Sequence, residues 1–316
     1  GATRIALDIE GNSLYRYHQR VCLIQLAVEG EVFLVDPLCG VDLSRFLEAL
    51  AAKTLLFHAG DYDLRMLRSS MSFEPAGEVL DTMLAAQLLG REQLGLVALV
   101  EECLGVQLSK SGKHGQKSNW AYRPLSPAQL QYAGDDVRYL DALTERLDGE
   151  LAARGRIEWH REWCARMVQA TQLPAESNGR EPWRIKGIST LKTREVAFVR
   201  ELWRWREDEA READRPPFKV MGNQQMIDLA VRAASQRGDF PVDAHQVPAH
   251  CKGARLEALG EALRRAHELE ESEWPEPRLN SKNGPPSAEH SMLVDALRVE
   301  CASVAEEIGI SPSVLA

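Results

Sequence analysis

Apolar and polar residues along this chain follow two different periods. Arg4 to Glu10 is a short apolar stretch that turns acidic before Gly11 and Asn12, which predicts a buried strand ending at a site. Val21 to Ala27 and Glu31 to Val35, separated by Gly30, predict a hairpin that Asp36 and Pro37 close. A helical period then runs from Leu43 to Ala52, a strand from Thr54 to Phe57, and helices over about Tyr62 to Arg68, Asp81 to Leu89 and Leu94 to Leu104. Strands followed by helices predict an α/β domain, a mixed sheet flanked by helices.

From Ser126 onward the pattern is almost wholly helical. Ser126 before Pro127, with Gln129 three residues on, has the form of a capping box, and a helix from Pro127 to about Leu147 follows. Ile157, Trp163 and Met167 continue the helical period. Leu173 to Pro182 is a linker by composition and marks the first domain boundary. Beyond it come a long amphipathic helix from Leu191 to Ala213 with Phe198, Leu202 and Trp205 at helical spacing, a shorter one from Asn223 to Ser235, a turn from Gly238 to Cys251, and a third helix from Arg255 to Glu271. Pro275 to Ser287 is a second linker, and the last thirty or so residues predict one more amphipathic helix, the start of a further module that cannot bury a core by itself.

Composition narrows the class. With 316 residues, 44% of them hydrophobic, the chain has apolar material for two or three domains. No apolar run reaches the roughly 18 residues of a membrane helix, and the N-terminus lacks a signal-peptide pattern, so a soluble cytoplasmic protein without membrane contact is the expectation. The first apolar run begins almost at once, so a natural segment upstream of Gly1 is expected too. Six cysteines lie far apart with no metal-finger spacing and read as reduced core residues rather than a zinc site. A net charge of −9 argues against a protein that binds nucleic acid simply by being basic, yet a carboxylate site neutralised by bound cations is compatible with it.

Three acidic segments carry the candidate chemistry. Asp8 and Glu10 are two apart on a strand and project to one face. Such a pair repels and costs desolvation unless a positive ion sits between its members, although a strand running out into a solvated turn would also explain it. Asp61 and Asp63 stand where a strand turns into a helix, where either could be a simple cap. Tyr132 and Asp136 are i and i+4 on the predicted helix, with an exposed acidic face as the alternative.

Taken together, these segments resemble the DEDD exonucleases, specifically the tyrosine subclass with three residues between Tyr132 and Asp136. The stretch from Ser118 to Ser126, together with His58 to Gly60 and Cys22 to Leu26, is similar to the ribonuclease D branch. Arg204 to Arg206, Arg215 to Val220 and Met226 to Ala230 resemble an HRDC domain, and Leu297 to Leu315 resembles the opening of a second one, cut short. Two departures are visible: Ile9 and Gly11 replace a Thr and a bulky apolar residue of the first motif, and Gly112 to Gln116 looks like an insertion.

The resemblance implies an exonuclease domain of ribonuclease H-like fold over 1–172, a linker over 173–190, an all-α HRDC domain over 191–274, a linker over 275–287 and a partial second module over 288–316. It implies 3'-to-5' hydrolysis of RNA to nucleoside 5'-monophosphates by two divalent ions, magnesium or manganese, with transfer RNA precursors as substrates. In that pattern Asp8 bridges both ions, Glu10 and Asp136 hold the one carrying the attacking water, Asp63 helps position the other, and Tyr132 orients the water. Asp63 is chosen over Asp61 because the family places the acid directly before Leu64. Asp135, Asp81 and His58 are assigned supporting roles. Arg123, Lys110, Lys113 and Lys117 precede the third motif and are candidates for phosphate contact, as are Arg204, Arg206, Lys219 and Lys252 in the helical domain. A DNA exonuclease of the same fold, a non-catalytic RNA-binding adaptor and a subunit of an RNA-processing assembly are the competing readings.

Overall fold

The computed structural model describes residues 2–108, 115, 117–172, 181–236, 247–275 and 288–315. They fall into two compact units. One comprises Gly1–Asn12, Gln19–Pro174 and Ser291–Ala316; the other comprises Ser13–His18 and Ala175–His290.

The first unit is built on a five-stranded sheet of order β3-β2-β1-β4-β5. Its strands are β1 (Arg4–Gly11), β2 (Val21–Val28), β3 (Glu31–Val35), β4 (Thr54–Phe57) and β5 (Val79–Asp81). Central β1 pairs antiparallel with β2 and parallel with β4, so the sheet is mixed as the residue pattern predicts. The alternation within β1 sorts its side chains by face. Leu7 and Ile9 enter a core with Ile24, Leu26, Leu55 and Phe57 and with Leu64 and Leu67 of α2 (Asp61–Met71). On the other face Ala6 packs with Ala27, Leu56 and Leu80 against Val137 and Leu140. Those two residues belong to α5 (Pro127–Arg138) and α6 (Leu140–Ala153). The face that carries Ala6 also carries Asp8 and Glu10, so the side of the sheet beneath α5 receives the acids.

Several elements differ from the pattern-based expectation. The helix expected from Pro127 to Leu147 breaks at Tyr139, whose ψ of 0° interrupts the ladder between α5 and α6. Strand β5 has only three residues, too few to show a period, and exists through its parallel pairing with β4. It runs directly into α3 (Thr82–Leu88), capped by Asp81. α4 (Leu96–Leu104) and α7 (Ile157–Gln172) complete the flanking layers.

The second unit contains α8 (Thr193–Glu212), α9 (Pro217–Val220), α10 (Asn223–Ser235) and α11 (Ala254–Glu268). Phe198, Leu202 and Trp205, expected on one face of a long helix, pack with Met226, Leu229, Leu259 and Leu263. Ser13–His18, although it follows β1 in the chain, is held in this unit: Asp214 accepts from the amides of Tyr17 and His18 at 3.1 Å each and pairs with Arg16.

The C-terminal helix α12 (Ala288–Ile308) is also placed unexpectedly. From Ser291 onward it groups with the α/β unit, where the residue pattern predicts the start of a further module. Ala305 and Ile310 are buried there, and the Arg156 guanidinium donates to the carbonyls of Leu88 and Ile308. No described helix is long and apolar enough to cross a membrane.

Candidate active site

Three carboxylates converge where β1 passes under α5. Asp8, Glu10 and Asp136 present oxygen atoms within 4.8 Å of one another. Asp63 lies outside that group of three, at the first turn of α2, where the helix N-terminus favours negative charge. It is nonetheless buried at 7% exposure, and its charge acts on both Asp8 and Glu10. Asp61, the alternative, points to solvent and pairs with Arg65 at 3.0 Å. Tyr132 stands one turn before Asp136 on α5, where that carboxylate acts on its phenol. A cleft of about 790 Å³ is lined by Asp8, Glu10, Tyr132 and Asp136 together with His58, Tyr62, Leu96 and Val97.

The electrostatics of this group are unfavourable to its own ionisation. Burial, then repulsion from Asp63, raises the Asp8 carboxyl well above its usual range. Burial and the charges of Asp8, Asp136 and Asp63 push Glu10 up to about 10. Burial first and a neighbouring carboxylate second push Asp63 up to about 7 and Asp136 up to about 8. Tyr132 is raised too, chiefly by burial and then by Asp136. Desolvated acids this close do not all ionise at neutral pH without a counter-charge. Beside them the fully buried Gln25, paired with Asp8 across the sheet, has neither amide atom hydrogen-bonded among the described residues. An all-oxygen, carboxylate-rich donor set with unmet polar capacity fits hard divalent cations.

A second layer holds the turn that carries Asp63. Asp81, at the end of β5, accepts from the amides of Gly60 at 2.8 Å, Met83 at 2.8 Å and Leu84 at 3.1 Å. His160 of α7 donates through Nε2 to the Asp81 carbonyl at 2.9 Å. Gly60 is required by a close approach, since a Cβ there would meet Phe57 at 2.6 Å. Ala59 sits at φ 60°, a left-handed conformation that costs energy in any residue but glycine.

Other candidates are placed elsewhere. Arg123, read as a phosphate contact, is committed to the fold: it pairs with Asp36 at 2.6 Å and donates to the carbonyls of Trp120 at 2.6 Å and Cys22 at 2.8 Å. That guanidinium holds the Asp36 carboxyl below the usual range. Lys110 and Lys113 lie outside the described residues, and Lys117 is exposed and does not line the cleft. Asp135 turns toward Gln131 at 3.0 Å and Arg138 at 3.8 Å. In the helical unit Arg206 is 5% exposed and bonded to Asn223 at 2.7 Å, which removes it as a phosphate ligand. Arg204 pairs with Glu201 at 2.8 Å.

Sequence reasoning missed the residues that shape the cleft. Tyr62, Gln93, Leu96, Val97 and Glu101 come from the start of α2, the connection before α4 and α4 itself, whose spacing carries no catalytic signal. Gly115 falls in the stretch from Gly112 to Gln116 that looks like an insertion. It packs directly on the Tyr132 ring, where a Cβ would collide, and its carbonyl accepts from Trp120 Nε1 at 3.2 Å.

Residues 1–152 match a 3'-5' exonuclease family and residues 195–240 match the HRDC domain. Ribonuclease D of Xanthomonas oryzae pv. oryzae is 33% identical over 233 residues, covering 72% of this chain and 62% of its own length. Ribonuclease D of Pseudomonas paraeruginosa is 31% identical over 318 residues, covering 98% of this chain and 81% of its own. The crystal structure of Escherichia coli RNase D, described as an exoribonuclease involved in structured RNA processing, superimposes with a TM-score of 0.76 at 28% identity, over 100% of this chain and 82% of that one. The chain thus spans less than two thirds of the length of the first of these relatives.

Proposed function

The chain belongs to the ribonuclease D family, and from that premise we propose that it is a 3'-to-5' exoribonuclease releasing nucleoside 5'-monophosphates with two divalent cations, magnesium or manganese. The observation that carries this reading is the convergence of Asp8, Glu10 and Asp136 within 4.8 Å, with Tyr132 one helical turn before Asp136. Acids pushed up by burial and mutual repulsion are a poor arrangement for a metal-free protein and a good one for holding cations.

In this reading Asp8 would serve both cations, Glu10 and Asp136 would hold one with it, and Asp63, whose charge acts on Asp8, would support the other. Bound divalent cations supply neutralisation of phosphoryl charge and a lowered pKa for water. The protein's own groups do the rest. Tyr132 orients the attacking water through its hydroxyl and is no general base, because its surroundings raise the phenol further from neutrality. The apolar wall of Leu96, Val97 and Ala98 gives a base somewhere to lie out of water. The substrates of this reading are RNAs with a free 3' end, transfer RNA precursors foremost, trimmed in the cytoplasm alone or within a processing assembly.

End-labelled single-stranded RNA and DNA of one sequence, incubated with magnesium, manganese or chelator and resolved at nucleotide length, test it. The expected result is stepwise shortening of RNA from the 3' end, dependent on metal. Shortening that continues in excess chelator would overturn the metal assignment, and equal or faster shortening of DNA would make the chain a DNA exonuclease of the same fold.

A further inference from the structure

His58 lines the cleft beside the acids but is no member of their group. Its Nδ1 lies 2.9 Å from Thr82 Oγ1, and that hydroxyl donates to the Phe57 carbonyl at 3.1 Å. A threonine hydroxyl has one proton, and a carbonyl can only accept. With that proton given to Phe57, Thr82 meets His58 as an acceptor, so the ring hydrogen sits on Nδ1. The neutral ring then carries its lone pair on Nε2. Burial, which lowers the His58 pKa, keeps the ring in this neutral form.

Both ends of the relay are rigid. Thr82 is 1% exposed and opens α3 directly after Asp81, whose carboxylate is fixed by three backbone amides. Phe57 is fully buried at the end of β4. No second hydrogen-bond partner of the His58 ring is found among the described residues. The cleft therefore has a fixed, uncharged acceptor among its carboxylates, whereas Gln93 stands exposed at its rim.

The groups on an RNA 3' end that donate hydrogen bonds are ribose hydroxyls and the N–H groups of the bases, exocyclic amines and the ring N–H of guanine and uracil. Base donors vary from base to base; the 2'-hydroxyl is present on every nucleotide and is what distinguishes RNA from DNA. We propose that His58 Nε2 accepts a hydrogen bond from the 2'-hydroxyl of the 3'-terminal nucleotide, which makes His58 the residue that favours ribose over deoxyribose at the end being removed. The assignment rests on the exonuclease reading above.

Two measurements test it. RNA oligonucleotides of one sequence, ending in a ribo-, 2'-deoxy- or 3'-deoxynucleotide, are given to wild type, His58→Ala and Thr82→Val, and removal of the last nucleotide is timed in single turnover. Wild type is expected to remove the ribo terminus about fivefold faster than the 2'-deoxy terminus, the size of one neutral hydrogen bond. In His58→Ala that ratio should fall to near one while the response to the 3'-deoxy terminus is unchanged; Thr82→Val, which keeps the ring but releases its tautomer, should lose part of it. A ratio unchanged in His58→Ala, or a loss carried by the 3'-deoxy terminus, would overturn the proposal. Long-range histidine nitrogen spectra supply the second measurement. They should show His58 with hydrogen on Nδ1 and an Nε2 resonance that shifts with adenosine 5'-monophosphate and not with its 2'-deoxy form. An Nε2–H tautomer, or equal shifts, also sinks the idea. A wild type that removes no terminus would refute the exonuclease reading, and the Nε2 shifts would still decide the role of His58.

Discussion

Asp8, Glu10, Asp63 and Asp136 each hold a proton more tightly than a solvated carboxyl, because burial and mutual repulsion both penalise the charged form. Raised folded-state values mean that the metal-free folded protein binds more protons than the unfolded chain above the ordinary carboxyl range. The corresponding stability is present below that range and is lost as pH rises through about 7 for Asp63, about 8 for Asp136 and about 10 for Glu10. The melting temperature of chelator-treated protein should therefore fall as pH rises from about 5 to 9, and magnesium should raise it most at the alkaline end. A melting temperature independent of pH in chelator would contradict the electrostatic account. Asp136→Asn should flatten the same curve while lowering hydrolysis by about 10³-fold, because it removes a ligand and a repulsive charge together. Tyr132→Phe keeps the ring on Trp120 at a 6.1 Å centroid distance and loses only the hydroxyl. It should lower kcat roughly a hundredfold with KM nearly unchanged; a raised KM with normal kcat would make Tyr132 a substrate-binding residue instead.

At the level of elements, the site depends on two joints. One is the turn from β4 to α2, held because Asp81 caps α3 and accepts the Gly60 amide at once. Asp81→Ala removes the cap and orphans a buried amide, and should cost about 2 to 3 kcal/mol in urea unfolding. It should also weaken magnesium binding, since Asp63 rides on that turn; a loss of stability with magnesium affinity intact would detach Asp81 from the site. The other joint is the contact of Gly115 with Tyr132. Gly115→Ala should reproduce much of the Tyr132→Phe loss of turnover, because the added methyl collides with the ring and moves its hydroxyl. Wild-type turnover in that variant would show that the ring tolerates displacement. Neither joint is visible as periodicity, since one depends on a three-residue strand and the other on a single glycine in a polar stretch.

For the whole molecule, the chain does not divide at the linker between 172 and 182 as cleanly as composition suggests. Ser13–His18 groups with the helical unit and Ser291–Ala316 with the α/β unit. A fragment of residues 1–172 keeps every proposed metal ligand but loses the segment that covers Leu88 and receives the Arg156 guanidinium. It should cleave short single strands, melt below the full chain, and bind structured RNA more weakly with a shallower salt dependence, as fewer phosphates are neutralised. Binding as tight as that of the full chain at every salt concentration would deny the helical unit a part in RNA recognition. A fragment of full thermal stability would show that the C-terminal segment contributes no packing.

The residue pattern alone determined the strands β1 to β4, the ends of α5 at Ser126 and of α10 at Ser235, and the acids on one face of β1, because side-chain alternation, capping chemistry and helical spacing are local properties. The choice of Asp63 over Asp61 rests on family likeness; local pattern could not tell that Asp63 is buried while Asp61 pairs with Arg65 at the surface. Tertiary structure decided what local patterns cannot express. Arg123 is a basic residue in a polar loop by its local pattern, but Asp36, 87 positions away, and the carbonyls of Trp120, Tyr122 and Cys22 claim its guanidinium. The break at Tyr139, the existence of β5, the seating of Gly115 on Tyr132 and the tautomer of His58 likewise follow from neighbours distant in sequence. Pairing across a sheet and the sharing of a single hydroxyl proton depend on which groups meet, and that is set only when the chain has folded.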